Sequence, residues 1–336
     1  MITNALSPRQ APTWQHVLRD AFSRPLDLLE FLQLDPALPA LDLPALKDFP
    51  LRVPRGFAAR MEKGNPRDPL FLQVWPQVRE GELVAGYSVD AVGDLKKRKD
   101  GGLIHKYHGR VLVIATGACA VHCRYCFRRH FPYADTLAAR DHWREALATI
   151  EADASIEEVI LSGGDPLSLS DEKLAEFAQA VDRIPHVQRL RIHTRQPIVL
   201  PERVDERLLA WLGRGRLQKI MVLHANHAQE LDDSVAVALA PLRAAGVGLL
   251  NQSVLLKGVN DDVKSLNKLS SRLSALGVFP YYLHLLDRVQ GAAHFEIEED
   301  RARALMRELA QGLPGYLVPR LVRETEGSAA KTLVAW

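Results

Sequence analysis

The chain has 336 residues, of which 47% are hydrophobic and 25% charged, proportions that allow a folded protein to bury a sizeable core. Its 43 basic and 41 acidic side chains give a formal net charge of +2, which excludes the strong positive field of a typical nucleic-acid-binding protein. The first residues lack the basic-then-apolar layout of a signal peptide, and no apolar run approaches the roughly 20 residues that span a bilayer. The sequence therefore predicts a cytoplasmic protein with neither a membrane nor a nucleic-acid partner.

The first 105 residues are predicted to form an N-terminal helical segment. Thr13 is a candidate N-cap for a helix whose apolar residues, spaced three and four apart, begin with Trp14. A second helical piece is predicted over residues 28–34, and the prolines that follow it exclude long regular elements. The charged run at 94–102 is typical of a solvated loop, and contact with a polyanion is the alternative.

From residue 110 onward, apolar β-branched stretches alternate with amphipathic stretches of helical length. The predicted strands cover residues 111–115, 157–161, 189–193, 218–223, 247–254 and 279–285. The predicted helices cover residues 137–153, 171–183, 202–213, 229–245, 262–276 and 298–311. Strand-then-helix units in series imply a parallel sheet with right-handed crossovers, and six of them predict a partial (β/α)6 barrel. The fold class is therefore α/β, with functional groups at the carboxyl ends of the strands.

Three cysteines, Cys119, Cys123 and Cys126, follow the first predicted barrel strand in the pattern C-x3-C-x2-C. They are the only cysteines of the chain, and in a reducing compartment such a cluster indicates metal ligands rather than disulfides. Zinc requires four ligands, of which His122 or His130 could supply one. A four-iron cluster also requires four, so three cysteines would leave one iron open to a ligand from outside the protein.

A second motif, Ser162-Gly163-Gly164-Asp165, follows the second predicted strand and precedes a helix. Glycines at this place allow backbone groups to approach a ligand closely, and Asp165 can accept a hydrogen bond from an ammonium group. Taken alone, the motif is typical of a tight turn.

The cysteine pattern, with Tyr125 directly before its last cysteine, resembles that of the radical S-adenosylmethionine superfamily. The resemblance implies a 4Fe–4S cluster whose open iron binds S-adenosylmethionine, and whose electron cleaves this ligand to a 5′-deoxyadenosyl radical. It also implies that residues 162–165 hold the amino group of S-adenosylmethionine. A zinc-binding module without enzymatic activity is the alternative.

From about residue 49 onward, further stretches resemble the lysine 2,3-aminomutases, which also use pyridoxal 5′-phosphate. These stretches are HKYHGRVL, CRYCFRRHF, TRQPIVLPERV, LHANHAQEL, GVGLLNQSVLLKGVNDD, PYYLHLLDRVQGAAHF and a lysine near the C-terminus. With the texture of the chain, they predict an N-terminal wrap over residues 1–105 and a barrel over 106–312. A C-terminal segment over 313–336 is predicted to carry the lysine that binds the cofactor.

By this resemblance, Lys331 is the lysine that binds pyridoxal phosphate covalently, and Lys106, Tyr107 and Arg110 bind the phosphate group. A lysine in this role needs an amine that desolvation can free of its proton, and cationic and hydroxyl donors suit a phosphate. The small residues 327–330 precede this lysine, where the family usually has a glycine-rich run.

The resemblance assigns the substrate to Arg128, Asp287 and Glu324. Arg128 is expected to bind the α-carboxylate of an amino acid bidentately. Asp287 and Glu324 are expected to bind the far ammonium group of lysine, because a buried cation needs anionic partners. Glu324 stands where catabolic relatives have aspartate, and His284 stands where the family usually has tyrosine.

Further polar residues at predicted strand ends match the family and are assigned to the neighbourhood of the adenosyl and pyridoxal groups. They are Arg195, His224, Asn226, His227, Asn251, Gln252 and Ser253. Each could instead be a hydrogen-bonded residue of the barrel.

The resemblance implies an isomerase that converts (S)-α-lysine to (R)-β-lysine. The stretches TWQHVLRDAF and LDLLEFLQLD, together with Glu324, resemble the branch that serves translation elongation factor P, with a lysyl-tRNA synthetase paralogue as a functional partner. An electron donor of the flavodoxin or ferredoxin type is also implied, and a homo-oligomer is compatible with this picture. The alternatives are a catabolic or other amino-acid 2,3-aminomutase and a radical enzyme that modifies RNA or protein.

Overall fold

The computed structural model describes residues 13–37, 46, 49–135 and 143–336. Its α-helices are α1 (Trp14–Arg19), α2 (Pro25–Leu32), α3 (Arg55–Ala58), α4 (Pro69–Leu72), α5 (Arg144–Ala152), α6 (Asp171–Asp182), α7 (Gln196–Val199), α8 (Glu206–Leu212), α9 (Asp233–Ala244), α10 (Val263–Ala275) and α11 (Glu299–Gly312). Its strands are β1 (Arg98–Lys99), β2 (Leu103–Tyr107), β3 (Arg110–Thr116), β4 (Glu158–Gly163), β5 (Arg189–Thr194), β6 (Gln218–Leu223), β7 (Gly248–Val254), β8 (Phe279–His284), β9 (Arg320–Arg323) and β10 (Thr332–Leu333).

These strands form one sheet in the order in which they occur along the chain. Strands β3 to β9 are parallel to their neighbours, whereas β1 and β2 at one edge and β10 at the other pair antiparallel. The six predicted barrel strands are confirmed as β3 to β8, with bounds that differ by no more than two residues. A helix follows each of them, so the predicted α/β class and partial barrel are confirmed.

The core lies between the sheet and its covering helices because both present continuous apolar surfaces. All residues of β4 before Gly163 are buried, as expected for a parallel strand covered on both faces. In α6, Leu174, Phe177 and Val181 recur at intervals of three and four and pack into the same core. The alternation seen in the sequence thus corresponds directly to the layers of the fold.

Two of the predicted helices begin later than expected because aspartate side chains set their first turns. Asp205 accepts a hydrogen bond from the backbone N–H of Leu208, and Asp232 accepts one from that of Val235. The chain before each aspartate forms a short 3₁₀ turn instead. The predicted helix start at residue 137 lies outside the described residues.

The N-terminal helices pack in a separate apolar cluster that also contains Ala120 and Val121, directly after the first cysteine. Helix α1 begins after Thr13, as predicted, but the Thr13 hydroxyl lies 2.9 Å from His16 Nδ1 and caps no backbone group. Helix α2 begins at Pro25, earlier than predicted, because proline fits the first turn of a helix. None of the described helices is both long and apolar enough to cross a lipid bilayer.

Candidate active site

We call residues 117–132, which follow β3, the cysteine loop. Cys119, Cys123 and Cys126 are free, half-buried thiols on this loop. Burial raises the pKa of Cys119 and raises that of Cys126 to about 11, and the charges of the neighbouring thiols add to both shifts. A bound cation would offset this repulsion.

Among the described residues, no group of three or more His, Cys, Asp and Glu side chains converges on a point where a single metal ion could bind. In a four-iron cluster each thiolate binds a different iron, so its ligands need not converge on one point. The cluster ligands therefore stay a prediction that rests on three free cysteines of one loop.

The glycine pair at the end of β4 presses against the beginning of the cysteine loop. Gly163 has a φ of +112°, and a Cβ there would lie 2.7 Å from the Thr116 carbonyl oxygen. A Cβ on Gly164 would lie 2.5 Å from the Ala118 carbonyl oxygen. The Gly164 N–H donates to Thr116 O at 2.6 Å. Only glycine permits this contact, which fixes the direction in which the cysteine loop leaves the barrel.

Asp165 is buried and accepts four hydrogen bonds from protein groups. Its carboxylate receives the backbone N–H groups of Leu167, Arg195 and Gln196 and the hydroxyl of Thr194, at 2.7–3.1 Å. It therefore links the loops that follow β4 and β5. Protein donors thus occupy all four lone pairs of this carboxylate. None is free to accept a hydrogen bond from the amino group of S-adenosylmethionine, which is the contact predicted for Asp165.

Two arginines that bracket Cys126 are tied to one buried carboxylate. Arg124 and Arg129 donate to Glu80 at 2.5–2.8 Å, and Glu80 has no exposed side-chain surface. Burial opposes the charge of Glu80, but the two guanidinium groups lower its pKa below the usual value. The second half of the cysteine loop is thereby anchored to the N-terminal segment.

Lys331 is brought inward by the antiparallel pairing of β9 and β10, in which Thr332 lies opposite Arg323. Its Nζ donates to Glu324 Oε2 at 2.6 Å and lies 5.9 Å from the centre of the Tyr282 ring. Burial opposes the charge of Glu324, but Lys331, with a smaller contribution from Tyr107, lowers its pKa to about 2. The amine thus lies beside an ionised carboxylate and an aromatic face.

The predicted phosphate-binding residues lie around the same carboxylate. The Tyr107 hydroxyl donates to Glu324 Oε1 at 2.5 Å, and the Arg110 guanidinium stacks on the Tyr107 ring at 4.8 Å. Lys106 Nζ lies 2.5 Å from Asp94 Oδ1 and 3.5 Å from Glu324 Oε1. Lys106 and Tyr107 also line a small cleft that is bounded on its other side by residues 325–329. Their role toward a phosphate stays a prediction.

Arg128, the predicted carboxylate-binding residue, is buried and reaches from the cysteine loop to two neighbours. Its Nε donates to Asp94 Oδ2 at 2.7 Å and its Nη1 donates to Ser162 Oγ at 3.0 Å. Asp94 is only 2% exposed, and the charges of Arg128 and Lys106 lower its pKa although burial opposes this. Sequence analysis missed Asp94 because it begins a charged run that is typical of a solvated loop.

Asp287 follows β8 and is half-buried near the C-terminal segment. Burial raises its pKa to about 7, with Lys331 lowering it and Glu324 raising it. The structure therefore places both predicted ammonium-binding carboxylates near Lys331, one of them ionised and paired and the other close to its titration point at neutral pH.

Three histidines, His193, His224 and His284, lie on barrel strands or directly after one. Burial lowers the pKa of His224 to about 3 and lowers that of His193 and His284 as well, so all three are neutral. His224 Nε2 lies 2.9 Å from Gln252 Nε2. The Nε2 atoms of His193 and His284 are buried and have no hydrogen-bond partner within the described part of the chain. Such orphaned nitrogens suit a site that binds a polar ligand.

Several other predicted ligand-binding residues hold the strand ends together. Asn251 and Ser253 hydrogen-bond to the backbone of Ala225 at 2.8–3.0 Å. Asn226 Oδ1 accepts from the Val254 N–H at 2.8 Å. His227, which belongs to the same predicted group, caps a 3₁₀ turn through its Nδ1. These contacts agree with the alternative interpretation, in which these side chains are hydrogen-bonded residues of the barrel.

Arg195 reaches from the loop after β5 to the cysteine loop. Its Nη1 donates to Cys123 Sγ and to the Tyr125 hydroxyl, each at 2.7 Å. Its Nη2 donates to Gln73 Oε1 at 2.7 Å and to Glu230 Oε2 at 2.9 Å. Sequence analysis missed Gln73 and Glu230, although Glu230 belongs to the LHANHAQEL stretch. Arg195 thus contacts Cys123, one of the three predicted iron ligands.

The partial parallel barrel with a cysteine loop after its first strand defines a protein of the Radical SAM superfamily, whose sequence profile matches residues 113–214. The chain is 48% identical to the L-lysine 2,3-aminomutase of Escherichia coli (strain K12), with 95% of this chain and 93% of that protein covered. It is 47% identical to the L-lysine 2,3-aminomutase of Haemophilus influenzae, with 97% of both covered. It is 38% identical to that of Buchnera aphidicola, with 99% of this chain and 98% of that protein covered. The chain belongs to the L-lysine 2,3-aminomutase family.

Proposed function

We propose that this chain is a radical S-adenosylmethionine, pyridoxal phosphate-dependent isomerase that converts (S)-α-lysine to (R)-β-lysine. One observation carries the proposal: a continuous series of ion pairs joins the cysteine loop to Lys331. Arg128 pairs with Asp94 at 2.7 Å, and Asp94 pairs with Lys106 at 2.5 Å. Lys106 then lies 3.5 Å from Glu324, which pairs with Lys331 at 2.6 Å. Residues expected to bind the substrate and pyridoxal phosphate thus share one electrostatic network that begins on the cysteine loop.

The residues fit both cofactors on structural grounds. Three free thiols on one loop are the donor set of an iron–sulfur cluster with an open iron. The orphaned nitrogens of His193 and His284 provide polar partners, and the cleft beside Lys106 and Tyr107 provides space. When bound, the cluster with S-adenosylmethionine supplies a hydrogen-abstracting radical, and pyridoxal phosphate supplies the delocalisation that allows an amino group to move between C2 and C3.

The protein residues bind and orient the reactants around these groups. Lys331 provides the amine that holds pyridoxal phosphate covalently, and Lys106, Tyr107 and Arg110 provide donors for its phosphate. Arg128 binds the α-carboxylate of the substrate. Asp287 and Glu324 bind its far ammonium group, which makes a basic amino acid the preferred substrate. The surrounding barrel excludes water from the radical.

The same proposal includes a biological role. The N-terminal stretches and Glu324 support the branch that supplies β-lysine for the modification of elongation factor P, with a lysyl-tRNA synthetase paralogue as the enzyme that uses the product. A flavodoxin or ferredoxin is the proposed electron donor. Free cysteines favour a cytoplasmic location.

Anaerobic purification with iron, sulfide and pyridoxal phosphate tests the cofactor assignments. The wild-type protein is expected to be brown and to show the absorbance of a lysine-linked pyridoxal group. Lys331→Ala is expected to lose that absorbance and keep its iron, because the cysteines lie on a different loop. Lys219→Ala removes another mostly buried lysine and serves as the matched control, with absorbance unchanged. Brown wild-type protein without the pyridoxal band would contradict the aminomutase proposal.

Incubation with L-lysine, S-adenosylmethionine and dithionite, followed by chiral analysis, tests the reaction. The expected product is (R)-β-lysine, formed by the wild type and not by Lys331→Ala. Turnover of arginine or glutamate in place of lysine would show that the substrate assignment is wrong.

A further inference from the structure

Arg195 directs one arm of its guanidinium group at a cysteine that is expected to bind iron. We propose that Arg195 sets the reduction potential of the cluster through an N–H···S hydrogen bond and its positive charge, and that Glu230 counteracts that charge. The inference rests on the proposed function only in requiring that the cysteines hold an iron–sulfur cluster.

The contacts of Arg195 fix its orientation. Nη1 faces the cysteine loop, where it lies 2.7 Å from Cys123 Sγ, while Nη2 is held on the opposite side by Gln73 and Glu230 at 2.7 and 2.9 Å. Arg195 is only 5% exposed, and Gln73 and Glu230 are fully buried. The guanidinium group therefore cannot turn away from the sulfur without breaking buried hydrogen bonds.

The partners of Glu230 hold that carboxylate in place as well. Its Oε1 accepts the backbone N–H groups of Asn226 and His227 at 2.8 and 3.0 Å and the Gln73 side-chain amide at 3.1 Å. The Tyr125 hydroxyl, within the cysteine loop, lies between the Arg195 and Asn226 side chains at 2.7 Å from each. Arg195, in contact with Cys123 Sγ, and Glu230, paired with the other arm of the guanidinium group, are thus two opposite charges held in fixed positions.

Reduction of the cluster adds one electron from an external reductant such as dithionite, and no covalent bond forms or breaks. Hydrogen bonds to cluster-ligating sulfur and nearby positive charge stabilise the reduced, more negative state. The effect is large here because buried charges are weakly screened by water and salt. Arg195 therefore makes the cluster easier to reduce, and Glu230 makes it harder.

A redox titration followed by electron paramagnetic resonance, performed anaerobically on the full chain, tests this inference. Arg195→Gln is expected to shift the potential to more negative values by at least the equivalent of a tenfold change in the reduced-to-oxidised ratio, which is 59 mV for one electron. Arg195→Lys keeps the charge and is expected to shift it less. Glu230→Gln, which removes a negative charge and keeps the shape, is expected to shift it to more positive values.

The opposite signs separate potential tuning from a merely structural role. If Arg195 and Glu230 only anchored the loop, both substitutions would expose the cluster. The reduction potential would then shift in the same direction in both variants. Arg203→Gln is the matched control, because Arg203 is a fully buried arginine paired with Asp171 at 2.9 Å in a different part of the core. Its potential is expected to equal that of the wild type.

Iron and sulfide content, measured on the same samples, distinguishes failure of this inference from failure of the proposed function. A wild-type protein that takes up no cluster overturns both. A full cluster with an unchanged potential in Arg195→Gln, or with a negative shift in Glu230→Gln, overturns only the role of Arg195. If Arg195→Gln cannot retain a cluster, Glu230→Gln decides alone, since a positive shift is required.

Discussion

Asp94 joins the two halves of the candidate site through its two carboxylate oxygens. One oxygen receives Lys106 and the other receives Arg128, which lies two residues after Cys126. A buried carboxylate between two cations is tolerated because each charge neutralises the other, and removal of one member leaves an uncompensated charge. The orientation of Arg128 toward the barrel mouth therefore depends on a residue outside the cysteine loop.

Asp287 gives the site a pH dependence near neutrality. Burial raises its pKa to about 7, so the carboxyl group is neutral below that pH and ionised above it. Only the ionised form attracts an ammonium group. The dissociation constant for L-lysine is therefore expected to fall as pH rises through about 7, by up to tenfold per pH unit on the acidic side.

Anaerobic calorimetric titration of the cofactor-loaded protein with L-lysine between about pH 5.5 and 8 measures this dependence. Asp287→Asn is expected to bind weakly at every pH, because an amide carries no charge. Asp300→Asn, on the exposed face of α11, is the control and should follow the wild type. Equal lysine affinity of the wild type at both ends of this range would rule out the role of Asp287.

At the scale of single residues, the sequence was informative where chemistry is unusual. Three cysteines at one spacing and a lysine in a family context are the residues from which a cluster and a covalently bound cofactor are predicted. Asp94 and Gln73 could not be found, because an acid in a charged run and a lone amide carry no signal until the fold buries them. The structure also brings Glu324 to Lys331, a pairing that depends on the register of β9 and β10.

The contact between β4 and the cysteine loop is the element on which the position of the thiols depends. Gly164→Ala would place a Cβ 2.5 Å from the backbone oxygen of Ala118, and backbone cannot move aside as a flexible side chain can. We expect a loss of about 1–3 kcal/mol in the free energy of unfolding and a lower iron content after reconstitution.

Urea denaturation and iron analysis of Gly164→Ala measure both effects. Gly56→Ala is the matched control, since no heavy atom lies within 4 Å of a Cβ at that helical position. It should keep its iron and be unchanged or slightly stabilised. A fully loaded Gly164→Ala protein of normal stability would show that the glycine contact does not position the loop.

Elements were predictable because hydrophobic periodicity and burial have the same cause. The barrel strands are apolar and β-branched, and the covering helices have one apolar stripe, so both periods are visible in the sequence. Helix starts were less predictable, since Asp205 and Asp232 begin their helices through side-chain hydrogen bonds that apolar spacing does not reveal. The edge strands β1 and β10, each two residues long, carry no periodicity at all.

At the scale of the whole molecule, polar side chains attach the N-terminal segment to the barrel. Arg60 donates to the carbonyl oxygens of Ile198 and Glu230 at 2.6 and 2.8 Å and to Asp232 at 3.0 Å. Arg60→Ala removes these three hydrogen bonds between the segments, and we expect the free energy of unfolding to fall by about 2 kcal/mol. The two parts should still unfold together, because they share an apolar cluster.

Urea unfolding followed by tryptophan fluorescence and by far-ultraviolet circular dichroism tests this expectation, since coincident curves indicate one transition. Arg24→Ala removes an exposed arginine whose ion pair with Asp27 spans 3.7 Å, and it should change stability by less than about 0.5 kcal/mol. Two separate transitions in the wild type would mean that the segments are independent. The docking itself was not predictable, because the sequence does not show which distant carbonyl groups an arginine will meet.

The contacts of Arg195 also bear on how the holoprotein is assembled. Its partners Gln73, Cys123 and Glu230 lie 122, 72 and 35 residues away along the chain. Contacts of such separation form after local structure, because long loops must close first. Nascent or half-folded chains therefore present the thiols without their arginine. The iron–sulfur biogenesis machinery meets a complete cluster site only once four distant parts of the chain, at residues 73, 123, 195 and 230, have come together.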